Sequence, residues 1–321
     1  MIGLKDIIEA RERISDTISC TPLLQSSQLT ARTGYPVYLK GEHLQKTGSF
    51  KIRGATNKVK EAFNQGTQHV ITASSGNHGQ AVAYIANQLN IRSTIVVPTN
   101  VSLCKSNAIT AYNGIIEKFG TTSAERLPKA QEIAHQKRGM YIPPYDDYAI
   151  IAGQGTIGLE ILDQLDDIGT IVVPIGGGGL ISGILAAVKK MKPSIKIIGV
   201  EPMLANDTYI SLQNKKITAI KGSTATIADG LRASQPGNLT FPIIAKYLDD
   251  LVLVSEDEIR YALSFVLERM KQMIEPSSAT VIAATLFQKF TVNKGNLVCI
   301  ISGGNLDVEH ISDFIISTQS T

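Results

Sequence analysis

The stretch SFKIRGA, Ser49 to Ala55, sets one lysine, Lys51, near the start of a run with helical spacing. Ser49 is the expected N-cap, and Ile52, Ala55 and Val59 mark one helix face leading down to Gly66. The positive end of a helix dipole and the neighbouring Phe50 both disfavour the ammonium form of such a lysine. Imine chemistry needs that condition, because only the free amine attacks an aldehyde. Lysine is also common on exposed helix faces, so these seven residues need company before they mean anything.

Three other stretches supply it. Gly176, Gly177, Gly178 and Gly179 follow an apolar strand and open a helix, so their free N–H groups and the helix N-terminus make a phosphate cradle. That phosphate could belong to a dinucleotide, with Glu201 at the end of the next strand as the ribose-binding acid. The register fails, since the third glycine position holds Ile181 or Ser182. A formal GxGxxG at Gly153, Gly155 and Gly158 follows a proline-rich loop instead of a strand and reads as helix-start and packing glycine. Ser74, Ser75, Gly76, Asn77 and His78 lie between a strand and a helix, where hydroxyls and N–H groups can bind a carboxylate. Ser302, Gly303, Gly304 and Asn305 close the last apolar strand. Glu201, Ala205 and Asp207 offer two carboxylates and a main-chain carbonyl, hard oxygen ligands suited to Mg²⁺ or Ca²⁺.

The elements that position these groups alternate between strand and helix. The expected strands are Val37 to Lys40, His69 to Ser74, Ser93 to Pro98, Ile115 to Phe119, a short one near Tyr141, Thr170 to Ile175, Lys196 to Glu201, one within LDDLVLVS, and Leu297 to Ser302. Helices are expected at Leu4 to Ile14, after Lys51, at Ala81 to Leu89, Ser102 to Tyr112, Ser123 to Lys137, Gly153 to Leu165, Leu180 to Met191, Glu256 to Met273 and Ser278 to Phe290. This is an α/β chain, and SSGNHG, GGGG and SGGN fall at the carboxyl ends of strands, where open parallel sheets bind ligands. IPPYDDY, Ile142 to Tyr148, reads as a boundary by its prolines and acids.

Composition removes several classes. With 31 basic and 28 acidic residues the net charge is +3, and the densest cluster, Lys189, Lys190 and Lys192, reads as a solvated helix end, so nucleic acid is not the expected partner. Cys20, Cys104 and Cys299 are far apart and lack metal spacing, which fits reduced thiols in a cytoplasm. MIGLKDIIEARERI lacks the apolar run of a signal peptide, and no uncharged apolar stretch has the length of a membrane span.

Together KTGSFKIRGA, SSGNHGQA, VVPIGGGGL and ISGGN resemble the β-family of pyridoxal-phosphate enzymes, fold type II, within its serine racemase and serine/threonine dehydratase group. The likeness runs from Thr21-Pro22 to Asn305. It implies two open parallel-sheet αβα domains, a large cofactor-binding one (1–68 and 148–321) and a small mobile one (69–147), with the active site in the cleft between them. It also implies that Lys51 holds pyridoxal 5'-phosphate as an imine, Gly176 to Gly179 bind the phosphate, Asn77 meets the ring hydroxyl, Ser302 the pyridine nitrogen, and Phe50 lies beside the ring. Ser74, Asn77 and His78 would hold the substrate carboxylate, with Arg126 as an added clamp. Ser75 stands where dehydratases restricted to threonine and serine carry alanine, and it would complete a two-base pair with Lys51 for racemisation. Glu201, Ala205 and Asp207 match that subgroup's divalent-metal site, for Mg²⁺, Mn²⁺ or Ca²⁺. Lys46, Thr47 and Gln80 match some contacts of an activating ATP. PPYDD, IGLEI and RASQPGNLT resemble bacterial catabolic threonine dehydratases instead, so serine, threonine and 3-hydroxyaspartate all stay open as substrates. A cytoplasmic homodimer is the family expectation. The rivals from other classes are a nicotinamide-dependent oxidoreductase built on the glycine run and Glu201, and a non-catalytic amino-acid-binding module.

Overall fold

In the computed structural model, which describes residues 2–220 and 224–316, two separate sheets form. The larger has the order β1-β2-β10-β7-β8-β9, built from β1 (Leu23–Gln25), β2 (Val37–Gly41), β7 (Ile168–Pro174), β8 (Lys196–Pro202), β9 (Asp250–Val254) and β10 (Asn296–Ile301). The smaller has the order β5-β4-β3-β6, from β3 (His69–Ala73), β4 (Arg92–Val97), β5 (Ile115–Lys118) and β6 (Met140–Tyr141). Every pairing is parallel except that of β1 with β2.

Parallel strands covered on both faces must be apolar at successive positions, and β10 shows why. Its Leu297, Cys299 and Ile301 enter a core with Val37, Leu39 and the helices Glu256–Phe265 and Pro276–Leu286. Val298 and Ile300 enter another with the helices Tyr148–Gln164 and Gly179–Met191. Fixing β10 between β2 and β7 places Ser302 and the glycine run at adjacent strand ends.

The helix Lys51–Asn64 turns Ile52, Ala55 and Val59 into the core of the smaller sheet, beside Val70, Ala81 and Ile150. Ser49 is not its N-cap. Phe50 takes that position without a side-chain bond, because Ser49 is held in an antiparallel bridge to Gly303 and its buried Oγ has no partner. The GxGxxG glycines lie inside a helix that starts earlier, at Tyr148, where Asp147 accepts from the Ala149 and Ile150 amides. Their packing role holds: a Cβ on Gly153 would stand 2.6 Å from Gly54 Cα, and one on Gly155 2.9 Å from the Gly183 carbonyl. The helix expected to run from Glu256 to Met273 stops at Phe265 and passes into a π-turn, Val266–Met270, closed by a left-handed Lys271 (φ 57°). Cys20, Cys104 and Cys299 are unpaired. Among the described residues no helix is long and apolar enough to cross a membrane.

Candidate active site

Two strand-end segments lock Lys51 in place. The Ser49–Gly303 bridge and a hydrogen bond from the Phe50 amide to the Ser302 carbonyl (2.9 Å) bring the helix start against the end of β10. Lys51 Nζ lies 5.3 Å from the Phe50 ring centroid and donates to the Pro144 carbonyl at 2.8 Å. Burial pulls its pKa down to about 8, against the opposing charge of Glu275. The amine that imine formation requires is therefore accessible near neutral pH.

Glu275, unremarked in the sequence, is 4% exposed and both its oxygens accept from Asn77 Nδ2 at 3.0 Å. Burial and then the charge of Asp229 raise it to about 8. On the other side, Asn305 Nδ2 donates to Asn77 Oδ1 and to the Thr47 carbonyl, each at 2.8 Å. The amide of Asn77 thus has one orientation, with a single N–H left to offer. The only local hint of Glu275 was an acid directly before Pro276, which opens a helix.

Ser302 Oγ is 3.0 Å from Ser278 Oγ, which itself donates to the Gly303 carbonyl. Ser302 therefore donates to Ser278 and keeps its lone pairs free. Ser74 and Ser75 form the bend between β3 and the helix Asn77–Gln88, both partly buried. His78 is buried, bonded through Nε2 to the Ile142 carbonyl, and pushed down to about 3 by burial and by Lys51. It is a neutral ring at any physiological pH. Arg126 is 8% exposed, with its Nη2 on Ser123 and its Nε and Nη1 unpartnered, and burial lowers its pKa. Within the described residues no hydrogen bond ties Arg126 to residues 74–78.

The glycine run admits no side chains. A Cβ on Gly177 would meet the Tyr145 ring at 2.5 Å, and Gly178 adopts φ 89°. The conditions for a phosphate cradle are met: bare backbone, a helix N-terminus behind it, and Lys51 and Ser302 on neighbouring segments. These residues fit pyridoxal phosphate.

Glu201, wanted by the oxidoreductase alternative for a ribose, is fully buried and accepts from the Thr208 and Tyr209 amides at 3.0 and 2.8 Å. Burial and then Asp207 hold it well above the carboxylate range. Asp207 is buried with neither oxygen partnered, and burial lifts it to about 7. Ala205 is buried between them in the chain. Among the described residues no group of three or more His, Cys, Asp or Glu side chains could hold a metal. Two buried carboxylates, one of them with both oxygens unpartnered among the described residues, nevertheless fit a hard cation that also takes a main-chain oxygen and water.

A lysine at a helix start, a glycine cradle and a serine at the neighbouring strand end, set across two parallel sheets, define a fold type II pyridoxal-phosphate enzyme. The chain belongs to the pyridoxal-phosphate dependent enzyme family, whose pattern matches residues 14–303. It is 43% identical to serine racemase of Dictyostelium discoideum over 98% of both chains. It is 42% identical to L-threonine ammonia-lyase of Geobacter sulfurreducens, over 95% of this chain and 76% of that one. The structure of maize serine racemase superposes with a TM-score of 0.92 at 36% identity, covering 97% of this chain and 96% of that one.

Proposed function

We propose that the chain acts on small β-hydroxy amino acids, eliminating the β-hydroxyl as water and, once a water has hydrolysed the resulting enamine, releasing ammonia and a 2-oxo acid, and that it also interconverts the enantiomers of serine. The observation that carries this reading is the placement of Lys51, half-buried at the helix start that the Ser49–Gly303 bridge ties to the strand end carrying Ser302, with its Nζ on the Pro144 carbonyl of the loop that covers the glycine run. The cofactor, when bound, supplies an aldehyde and an electron-withdrawing ring. Lys51 would tether it, and its free amine would take the Cα proton of the substrate. Gly176 to Gly179 would hold the phosphate, with Ser302 for the ring nitrogen and the remaining N–H of Asn77 for the ring hydroxyl. Ser74 and the helix-start amides of Asn77 and His78 grip the substrate carboxylate, the His78 ring having its one N–H on the Ile142 carbonyl, and the guanidinium of Arg126 is the reserve clamp. From the deprotonated centre, departure of the β-hydroxyl leads to elimination, whereas a proton from the Ser75 hydroxyl on the opposite face gives the other enantiomer. A threonine-specific dehydratase is the second reading, favoured by the ammonia-lyase relative. Product analysis with chiral separation after incubation with serine, threonine and 3-hydroxyaspartate decides between them. If none of the three yields a 2-oxo acid or an inverted enantiomer, the reading fails.

Ser75→Ala separates the two outcomes of the fork. Racemisation of L-serine is expected to drop about 10²-fold or more, the usual worth of one acid–base group, while elimination stays within a few-fold. Equal losses in both activities would remove Ser75 from the second-base role.

Glu201, Ala205 and Asp207 are proposed as a divalent-cation site, supported by the orphaned Asp207 oxygens. Asp207 has its proton affinity raised on folding, from 3.8 to about 7. Its burial therefore costs nothing below pH 3.8, and stability is lost as pH rises toward 7. A cation offsets that loss only when both carboxylates are ionised. Mg²⁺ should raise the melting temperature of chelator-treated protein clearly at pH 8 and scarcely at pH 5. An unchanged transition at pH 8 after verified metal removal and re-addition refutes the site.

A further inference from the structure

The loop Ile142–Asp147 joins β6 of the smaller sheet to the helix Tyr148–Gln164, and each residue from Pro144 to Asp147 contacts a different part of the site or its frame. The Pro144 carbonyl accepts from Lys51 Nζ. Asp147 caps the following helix and pairs with Lys58. Between them, Tyr145 covers the glycine run and Asp146 fixes the segment that braces it.

Tyr145 is pressed flat on the run: a Cβ on Gly177 would stand 2.5 Å from three of its ring carbons. One on Gly179 would stand 3.0 Å from Tyr145 Cβ and 3.2 Å from its Cα and carbonyl oxygen. Asp146 accepts from the Asn238 and Leu239 amides at 2.9 and 2.8 Å, and leaves Gly237 no room for a side chain. The segment so pinned carries Thr240, whose Oγ1 donates to the Gly177 carbonyl at 2.8 Å. In a trans peptide C=O and N–H point opposite ways. Anchoring the Gly177 carbonyl on Thr240 therefore turns the Gly178 N–H to the far side of that peptide plane. A four-glycine run left to itself would sample many shapes, few of them with converging donors.

We propose that Tyr145 is a positioning residue for phosphate capture, its ring and the Asp146–Thr240 brace holding the glycine run in its anion-binding shape. The role rests on the pyridoxal-phosphate reading above and adds a residue to it. Because the same loop also holds Lys51, it ties the covalent and the phosphate anchor together.

The test titrates apoprotein with pyridoxal phosphate and, separately, with pyridoxal, which lacks the phosphate, following adduct absorbance. Tyr145→Ala should weaken pyridoxal phosphate by about tenfold or more and leave pyridoxal within about twofold. Competition by inorganic phosphate should weaken in parallel. Tyr145→Phe, which keeps the ring, should keep the preference for the phosphorylated aldehyde. Thr240→Val, which removes the hydroxyl at nearly constant shape, should show the same selective loss and serves if Tyr145→Ala does not fold. Equal weakening of both aldehydes, or none, overturns the role of Tyr145 while leaving the cofactor reading intact. Failure of the wild-type apoprotein to form an adduct with either aldehyde takes down both.

Discussion

Lys51→Ala is expected to lose elimination and racemisation together, each by at least about 10⁴-fold, since proton transfer alone supplies 10²–10⁴ and the covalent anchor goes with it. The fold should survive, because among the described residues the side chain's one hydrogen bond is to the Pro144 carbonyl and it belongs to no ion-pair network. Borohydride reduction of the loaded wild type should leave the cofactor on residue 51 and on no other. Retained turnover, or a label elsewhere, would falsify the assignment. The structure adds a pH signature. With Lys51 lowered to about 8, roughly a tenth of it is neutral at pH 7, against ~0.03% for an ordinary lysine. Cofactor uptake by apoprotein should accelerate about tenfold per pH unit up to about pH 8 and then level off. An inflection near 10.5 instead would mean that burial does not tune this amine. The linkage runs the same way. The folded proton affinity is depressed, so its cost to the apoprotein is absent above pH 10.5 and grows as pH falls toward 8.

Chemistry that comes as a contiguous string at a strand end could be read from the sequence. The glycine run and Ser302 each sit where an apolar strand stops and Lys51 where a helix begins, and periodicity located those boundaries. Groups made by the meeting of distant turns could not. Asn77 and Asn305 are both visible as motif residues, but their pairing across 228 positions is not, and neither is Glu275, 198 positions from Asn77, which fixes the other side of its amide. The Ser49 cap failed for a related reason. Local preference favoured a capping serine, yet pairing with Gly303 claimed that residue's backbone first. PPYDD reads in the sequence as a boundary and as a likeness; that its tyrosine covers the glycine run depends on how the two sheets are set against one another.

The largest stability effect is expected from a buried arginine beside the site. Arg53 stands two positions after Lys51 and is fully buried. Its Nε and Nη2 grip Glu42 at 2.7 and 2.9 Å, and Nη1 and Nη2 grip Glu160 at 2.6 and 2.8 Å. Nη1 also donates to Thr156 at 3.1 Å, so all five donors are used. Lys40, equally buried, donates to Glu160, the Thr21 carbonyl and Gln164. Burial alone would lower the proton affinity of Arg53, and the two carboxylates outweigh it and raise it. Two positive and two negative groups therefore share one dry site, joining β2, the Lys51 helix and the helix Tyr148–Gln164. Such a cluster adds little net stability when complete but is costly to break, because each orphaned charge keeps its desolvation penalty. Arg53→Met should destabilise the protein by about 3–5 kcal/mol. For a chain of this length that is a fall in Tm of roughly 5–8 °C. Adding Glu42→Gln and Glu160→Gln to that variant should recover part of the loss, since the stranded charges are then gone. A loss below about 1 kcal/mol, or no recovery in the triple variant, would show that the carboxylates had found water or protons elsewhere. Because the network grips the first turn of the helix that presents Lys51, the destabilised variant should also bind cofactor more weakly, and the triple variant should regain affinity along with stability.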